Sequence, residues 1–316
     1  MKFLIYGAGA LGQAMGCMLK AGGHDVDLVL RQRFVQTIVG SGLNVTGIFG
    51  QFSASFSQDQ LWVNLDSVRK NYDYILLTTK AYDTRTAIDD LLKISDRANA
   101  VVSMQNGCGN VELLKDAFGP EKIIGARIIT GFEISSPGRI TITVCADDIH
   151  VGPCTPNQIS EKEIKLAEAI CSAGHPCKVV GDIYQSLFSK LLYNCALNPL
   201  GAVLGVHYGL LVEHEETRNI MDAVIEETFA VIDAMGKKTD WPNANAYKAV
   251  FYDKLIPATY HHRPSMLQDL ENHKPTEIDS LAGYISAQGR QLSVTTPACD
   301  MLVSLVKFKE KNMPDH

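Results

Sequence analysis

The sequence predicts an α/β protein, with an N-terminal Rossmann-type doubly wound sheet over 1–182 and an all-α C-terminal domain over 183–316. Three observations carry this expectation. In the first 120 or so residues, short apolar runs alternate with stretches of helical period. The first run, KFLIYG, opens into a glycine-rich segment, GAGALG, that leads into a helical pattern. From about residue 184 onward no strand pattern remains, only long helical ones punctuated by Pro242, Pro264, Pro275 and Pro297.

The elements follow in order. KFLIYG (2–7) is continuously apolar, which suits a strand buried on both faces. A helix over 10–22 stops at Gly22-Gly23, and DVDLVL (25–30) is the second strand. YDYILLTTK (72–80) is another strand, followed by a helix over 83–93. AVVSMQNG (100–107) is a strand and turn, and NVELLKDAFG (110–119) a helix. Residues 122–153 then read as strands joined by an SPG turn, so antiparallel strands extend the sheet. A helix over 158–173 and a short strand, CKVVGD (177–182), complete the domain. Further helices are predicted over 184–205, 211–236, 243–256, 275–289 and 297–311.

Composition narrows the function. A net charge of −6 over 316 residues offers no electrostatic case for nucleic acid or an anionic membrane as a partner. No uninterrupted apolar run reaches the roughly 18 residues of a membrane span, and the glycines break the N-terminal apolar run where a signal peptide needs continuity. The eight cysteines are scattered, with no CxxC, which fits reduced thiols in a cytoplasmic protein. His207, His214, His261, His262 and His273 form no ligand spacing, so no metal site is expected.

Gly7, Gly9 and Gly12 stand in GxGxxG spacing after a strand and at the start of a helix. In that setting Gly7 allows the tight turn, Gly9 lets a pyrophosphate approach the backbone, and Gly12 lets helix and strand pack closely. The segment Gly7, Ala8, Gly9, Ala10, Leu11 and Gly12 is therefore the expected dinucleotide cradle, with the helix N–H groups facing the phosphates. An NAD site usually carries Asp or Glu about 20 residues on, to bind the ribose 2′-hydroxyl. Here Arg31 follows the second strand; a guanidinium pairs with a 2′-phosphate, so the expected cofactor is NADP(H). Asp27 lies within the strand and is a poor ribose ligand. Lys80 and Asn106 each follow a strand on the carboxyl edge of the sheet, where ligands of such folds bind. A solvated loop lysine and an Asn-Gly turn are the plainer explanations for these two.

The helical half carries a polar stripe. Lys190, Asn194 and Asn198 are four residues apart in SKLLYNCALNPLGA, so they stack on one helix face. Buried there, they need partners, since an unsatisfied buried polar group costs several kcal/mol. Ser265 and Asp269 in PSMLQD and Glu277 in KPTEID supply a hydroxyl and carboxylates. Together these groups suit a small oxygen-rich anion, and a desolvated lysine beside a carboxylate can act as a general acid. Alternatively, Ser265 caps a helix and Glu277 sits in a first helical turn. The aliphatic helix 219–235 serves either the core or a homodimer interface.

With GAGALG, Arg31, TTKAYD, QNGCGN, SLFSKLLYNCALNPLGA, SMLQD and TEID in this order over about 1–283, the chain resembles the ketopantoate (2-dehydropantoate) 2-reductase family. The resemblance implies a Rossmann domain with a helical C-terminal domain, and NADPH-dependent reduction of 2-dehydropantoate to (R)-pantoate on the way to pantothenate and coenzyme A. It implies Lys190 as general acid and Glu277 as its acidic partner. By the same resemblance Asn194, Asn198 and Ser265 hold the keto acid's oxygens, Asn106 lies beside the nicotinamide ribose and the substrate, and Asp269 is structural support. The chain departs from the family pattern at two positions that border the expected pocket: Tyr208 stands where many members have Asn, and Pro264 where many have Ser or Thr. A related NADP-dependent 2-keto acid or hydroxy acid oxidoreductase is therefore a second expectation, and a non-catalytic NADPH-binding sensor a third.

Overall fold

A computed structural model describes residues 1–312. It divides into two compact units: Met1–Asn106 with Asn110–Ile183, and Gly107–Gly109 with the described residues from Tyr184 onward.

The first unit is built on one sheet. Its strands are β1 (Lys2–Tyr6), β2 (Asp25–Val29), β3 (Leu43–Gly47), β4 (Phe52–Ala54), β5 (Leu61–Trp62), β6 (Tyr72–Leu77), β7 (Ala98–Ser103), β8 (Ile123–Ser136), β9 (Arg139–Pro153) and β10 (Cys177–Val179). They lie in the order β4-β3-β9-β8-β7-β6-β1-β2-β5, with β10 on β9. Every pairing from β8 through β7, β6, β1 and β2 to β5 is parallel. The chain leaves β1 toward β2 and later returns to its other side as β6, so the order reverses at β1, where such sheets open a ligand crevice. The long β8–β9 pair is antiparallel, with several register shifts. Helices α1 (Ala10–Ala21), α2 (Gln32–Ser41), α3 (Thr84–Leu92), α4 (Asn110–Phe118) and α5 (Glu161–Ser172) connect the strands.

Close approach of α1 to the sheet sets the core. A Cβ at Gly16 would lie 2.8 Å from Leu28 Cδ2. Phe3, Ile5, Met15, Met18, Leu28, Leu76 and Val102 are buried in one cluster, each such side chain contributing about 1.5–3 kcal/mol. The edge strand β5 is fixed by a buried carboxylate: Asp27 accepts from Trp62 Nε1 (2.9 Å), Tyr72 OH (2.8 Å) and Lys70 Nζ (3.0 Å).

The second unit is helical: α6 (Ile183–Leu204), α7 (Tyr208–Leu211), α8 (Glu215–Ala234), α9 (Ala244–Val250), α10 (Ile256–Ala258), α11 (Ser265–Glu271), α12 (Ala282–Leu292) and α13 (Pro297–Lys311). Met221, Val224, Ile225, Ile232, Ile285, Cys299, Leu302 and Val306 from α8, α12 and α13 are fully buried. Glu227 of α8 caps α13, its two carboxylate oxygens accepting from Ala298 N (2.8 Å) and Cys299 N (2.9 Å).

Several expectations are corrected. The segment between β2 and β6 holds α2 and three short strands that the sequence reading left unassigned. Strands this short show no usable alternation. The helix expected over 211–236 is two, α7 and α8, separated at 212–214, and that over 243–256 passes into a π turn at Phe251–Leu255. The helix expected over 275–289 begins only at Ala282; a 3₁₀ turn, Ile278–Ser280, precedes it. None of the eight cysteines is in a disulfide. No helix among the described residues is long and apolar enough to cross a membrane.

One charge cluster on the β8–β9 pair makes stability pH-dependent. Asp147 accepts from Arg127 Nη2 (2.6 Å) and Lys178 Nζ (3.3 Å). Burial opposes ionisation, but the Arg127 hydrogen bond and charge prevail and hold the carboxyl down at about 2. A carboxyl lower in the folded than in the unfolded state stabilises the fold above the unfolded pKa, and that contribution is lost as pH falls through the folded value. Chemical unfolding midpoints should therefore drop between about pH 4 and about 2, and Asp147→Asn should show a smaller drop there; an identical acid profile would refute the assignment.

Candidate functional site

In the first unit the site begins where β1 ends. Gly7 has φ +104°, a backbone conformation that suits glycine, and a Cβ there would lie 2.6 Å from Thr79 Cγ2. A Cβ at Gly12 would collide with the Gly7 carbonyl and lie 2.6 Å from Thr78 Oγ1. Gly9 differs from both. Its φ of −75° is open to any residue, and a Cβ would meet nothing within 4 Å. Neither strain nor protein packing explains glycine at that position, whereas a ligand lying against the loop would. α1 has no acidic residue in its first turn and no side-chain cap, so the N–H groups of Ala10, Leu11 and Gly12 lack intrahelical acceptors and the positive end of the helix suits an anion. Ala8 is held from behind: its carbonyl accepts from Gln13 Nε2 (2.8 Å).

The loops after β6 and β7 are tied to this turn by side chains the sequence reading missed. Thr78 donates to the Gly7 carbonyl (2.5 Å). Buried Gln105 donates to Thr84 Oγ1 (2.8 Å), and Thr84 donates to Asn110 Oδ1 (2.8 Å). Asn110 Nδ2 in turn donates to the Asn106 carbonyl (3.1 Å). Lys80 and Asn106, both half-buried, are thus carried on loops with fixed backbones. Thr78, Thr84 and Gln105 are ordinary polar residues in sequence; only their partners, most of them distant in the chain, reveal their role.

Arg31 is exposed at the N-terminus of α2, directly past β2. Burial pushes the Asp83 carboxyl up, and the nearby Arg31 charge draws it partly back. Asp27, with three donors, is fully engaged in holding β5.

In the second unit α6 carries the polar stripe. Leu191, Leu192, Cys195, Ala196 and Leu197 are buried around it. Lys190 is half-buried, whereas Asn194 and Asn198 are buried. Asn198 Nδ2 donates to Asn194 Oδ1 (3.1 Å), and Ser265 Oγ donates to Asn198 Oδ1 (3.3 Å). Ser265 is the first residue of α11 and accepts no capping bond; Pro264 is the cap position. The alternative of Ser265 as a helix cap is therefore overturned.

A strap over 259–265 delivers Ser265. The Tyr193 hydroxyl and Thr259 Oγ1 lie 2.6 Å apart, Tyr208 N donates to the His262 carbonyl (3.1 Å), and Gly209 N donates to that of Tyr260 (2.8 Å). A Cβ at Gly201 would lie 2.6 Å from Pro264 Cγ, so glycine on α6 admits the proline and brings Ser265 over Asn198. Tyr208 is 2% exposed, its ring set edge-on to Tyr193 at 5.7 Å.

Glu277 is buried and precedes the 3₁₀ turn Ile278–Ser280, where it makes no side-chain cap. The alternative of a residue in a first α-helical turn is thus also overturned. Asp269 is half-buried on α11. Among the described residues no group of three or more His, Cys, Asp or Glu could hold a metal ion.

Comparison with known proteins bears on both units. Residues 3–156 match the family model "Ketopantoate reductase PanE/ApbA", and residues 182–310 match "Ketopantoate reductase PanE/ApbA C terminal". The chain is 38% identical to a 2-dehydropantoate 2-reductase of Aquifex aeolicus, over 98% of this chain and 97% of that protein. It is 30% identical to one of Archaeoglobus fulgidus, over 98% of each. Among solved structures, 2-dehydropantoate 2-reductase of Geobacter metallireducens superposes with TM-score 0.87 at 26% identity, covering 98% of this chain and 99% of that one. A complex of D-mandelate dehydrogenase with NADH superposes with TM-score 0.85 at 26% identity, covering 99% and 100%.

The glycine geometry separates folding from binding. Gly9→Ala should leave the unfolding midpoint unchanged to within about 0.5 kcal/mol and weaken NADPH binding by about tenfold or more, read by fluorescence titration. Gly12→Ala should instead lower stability, seen in thermal unfolding. Unchanged NADPH affinity in Gly9→Ala would remove the loop from the cofactor site.

Proposed function

Because the chain belongs to the ketopantoate reductase family of nicotinamide-dependent oxidoreductases, we propose that it catalyses NADPH-dependent reduction of 2-dehydropantoate to (R)-pantoate, a step toward pantothenate and coenzyme A. The observation that carries the substrate reading is the hydrogen-bonded row Asn194–Asn198–Ser265, one helical turn beyond Lys190. An amide pair and a hydroxyl in a row beside an ammonium are what a 2-keto acid's carboxylate and hydroxyl oxygens require.

NADPH, when bound, would supply hydride for the ketone carbon. The residues of this chain do the rest. Lys190 Nζ donates a hydrogen bond to the ketone oxygen and passes a proton to it as negative charge develops there. Glu277 holds the ammonium oriented and the substrate hydroxyl in place. Asn194, Asn198 and Ser265 fix the keto acid, so that reduction is a reaction between held partners. Gly7 through Gly12 cradle the pyrophosphate, Arg31 pairs with the 2′-phosphate, and Lys80 and Asn106 meet the ribose and nicotinamide side. Eight cysteines outside any disulfide support a cytoplasmic setting for this chemistry.

A second reading keeps the mechanism and changes the acid. The similarity to D-mandelate dehydrogenase supports a 2-keto acid other than 2-dehydropantoate. Loss of NADPH absorbance with 2-dehydropantoate and a panel of 2-keto acids decides between them: preference for 2-dehydropantoate is expected, and faster turnover of another acid transfers the assignment to that acid.

Two variants test the assigned residues. Lys190→Ala should lower kcat by about 100-fold or more with NADPH affinity retained; unchanged turnover would dismiss it as the acid. Arg31→Ala should weaken NADPH about 10- to 100-fold while NADH affinity stays nearly constant, and equal losses for both would defeat the 2′-phosphate assignment.

A further inference from the structure

Glu277 sits at the start of a 3₁₀ turn whose local bonds, Ser280 N to the Glu277 carbonyl (3.0 Å) and Leu281 N to that of Ile278 (3.1 Å), are supplemented from a distant helix. Thr276 precedes Glu277, and both hydrogen-bond donors of Thr276 go to one distant carboxylate. Glu310 Oε1 accepts from Thr276 N (2.7 Å) and from Thr276 Oγ1 (2.6 Å). Thr276 Oγ1 accepts from Ile278 N (3.3 Å), so the same hydroxyl shapes the turn on the far side of Glu277. Lys307, one helical turn before Glu310 on α13, closes the arrangement: its Nζ lies 3.2 Å from Glu310 Oε2 and 2.6 Å from Asp279 Oδ2. Residues on both sides of Glu277 and Ile278 are thereby fastened to one helix. Ile278 is fully buried, and the Glu227 carboxylate seats the opposite end of α13.

Only a carboxylate serves all these bonds together. Two donors converge on Oε1 while Oε2 faces an ammonium, which an amide NH₂ could not do. The Glu310 side chain is 14% exposed, so its charge is kept at a desolvation cost that its partners must offset. Burial opposes ionisation, yet the hydrogen bonds from Thr276 and Lys307 prevail and hold the carboxyl below its usual range.

We propose that Glu310 is a positioning residue that acts through Thr276 to fix the Glu277 carboxylate. Its importance for turnover rests on the reductase reading above; its effect on the turn does not. Glu310→Ala removes both acceptors, and displacement of a reacting group by about 1 Å costs about 100-fold in rate.

The test uses the full-length protein. In Glu310→Ala, amide hydrogen exchange over 276–280 should speed up at least tenfold while α6 and the glycine loop keep their protection. The keto acid kcat should fall by about 100-fold, with NADPH Kd within twofold of the unaltered protein and the pH–rate profile displaced. Thr276→Val, which keeps the N–H donor and deletes the hydroxyl, should give an intermediate loss, and Thr276→Ser should restore kcat to within threefold. These two variants keep the proposal decidable should Glu310→Ala fail to fold. Unchanged exchange over 276–280 would overturn the proposal. So would faster exchange with unchanged kcat, or a kcat loss matched by equal loss of NADPH affinity and no change in the pH profile. If the unaltered protein reduces no 2-keto acid, the reductase reading fails, and the exchange measurement alone still decides whether Glu310 holds the turn.

Discussion

Buried polar groups must find partners, and each unit uses that constraint to position its chemistry. A buried donor or acceptor left alone costs roughly 1–3 kcal/mol, so a polar side chain placed in a core dictates what packs against it. Asp27 sits in the second strand and forces Trp62, Lys70 and Tyr72 onto it, which fixes the edge of the sheet. Gln105 and Thr84 couple two loops at the carboxyl edge of the strands. Asn198 on α6 orders Asn194 and Ser265. Glu310 on α13 fastens the turn beside Glu277. In each case the apolar core gives most of the stability, while a few directional bonds settle where a loop stands.

Glycine supplies the complementary device, which is space. Gly12 and Gly201 admit the Gly7 carbonyl and Pro264 respectively, and a methyl group at either would push apart elements that must touch. The first of these contacts sets α1 on the sheet, and so aims its free N–H groups past Gly9. The second sets the strap that carries Ser265. Pro264 is therefore matched to Gly201, which lies about one turn past Asn198 on α6. Tyr208 belongs to the aromatic core around Tyr193.

Sequence made the periodic parts legible. β1, α1, β2, α4 and the β8–β9 pair stand close to where their patterns put them, because each is long enough or apolar enough to show a period. The four-residue spacing of Lys190, Asn194 and Asn198 likewise announced a shared helix face. What stayed hidden depends on distant partners. β3 pairs with β9 across nearly a hundred residues of chain, and β5 has two residues, so neither carries a local signal. The late start of α12 was equally unmarked: KPTEID satisfies the local rules for a helix start, yet the segment turns as 3₁₀ before α12 begins at Ala282.

That last case bears on how the proposed reaction centre is held. A helix fixes three side chains in register at almost no extra cost, because backbone periodicity does the work; Lys190, Asn194 and Asn198 need only α6. A carboxylate that must meet them from another segment has no such template. Glu277 lies at the start of a three-residue turn with two local backbone bonds. α13 is suited to add rigidity to it: the helix is buried through Cys299, Leu302 and Val306 and capped by a carboxylate from α8. The ion pair between Lys307 and Glu310 then matters less for its own energy, small at a partly exposed site, than for keeping Glu310 charged where two donors of one threonine need a single acceptor.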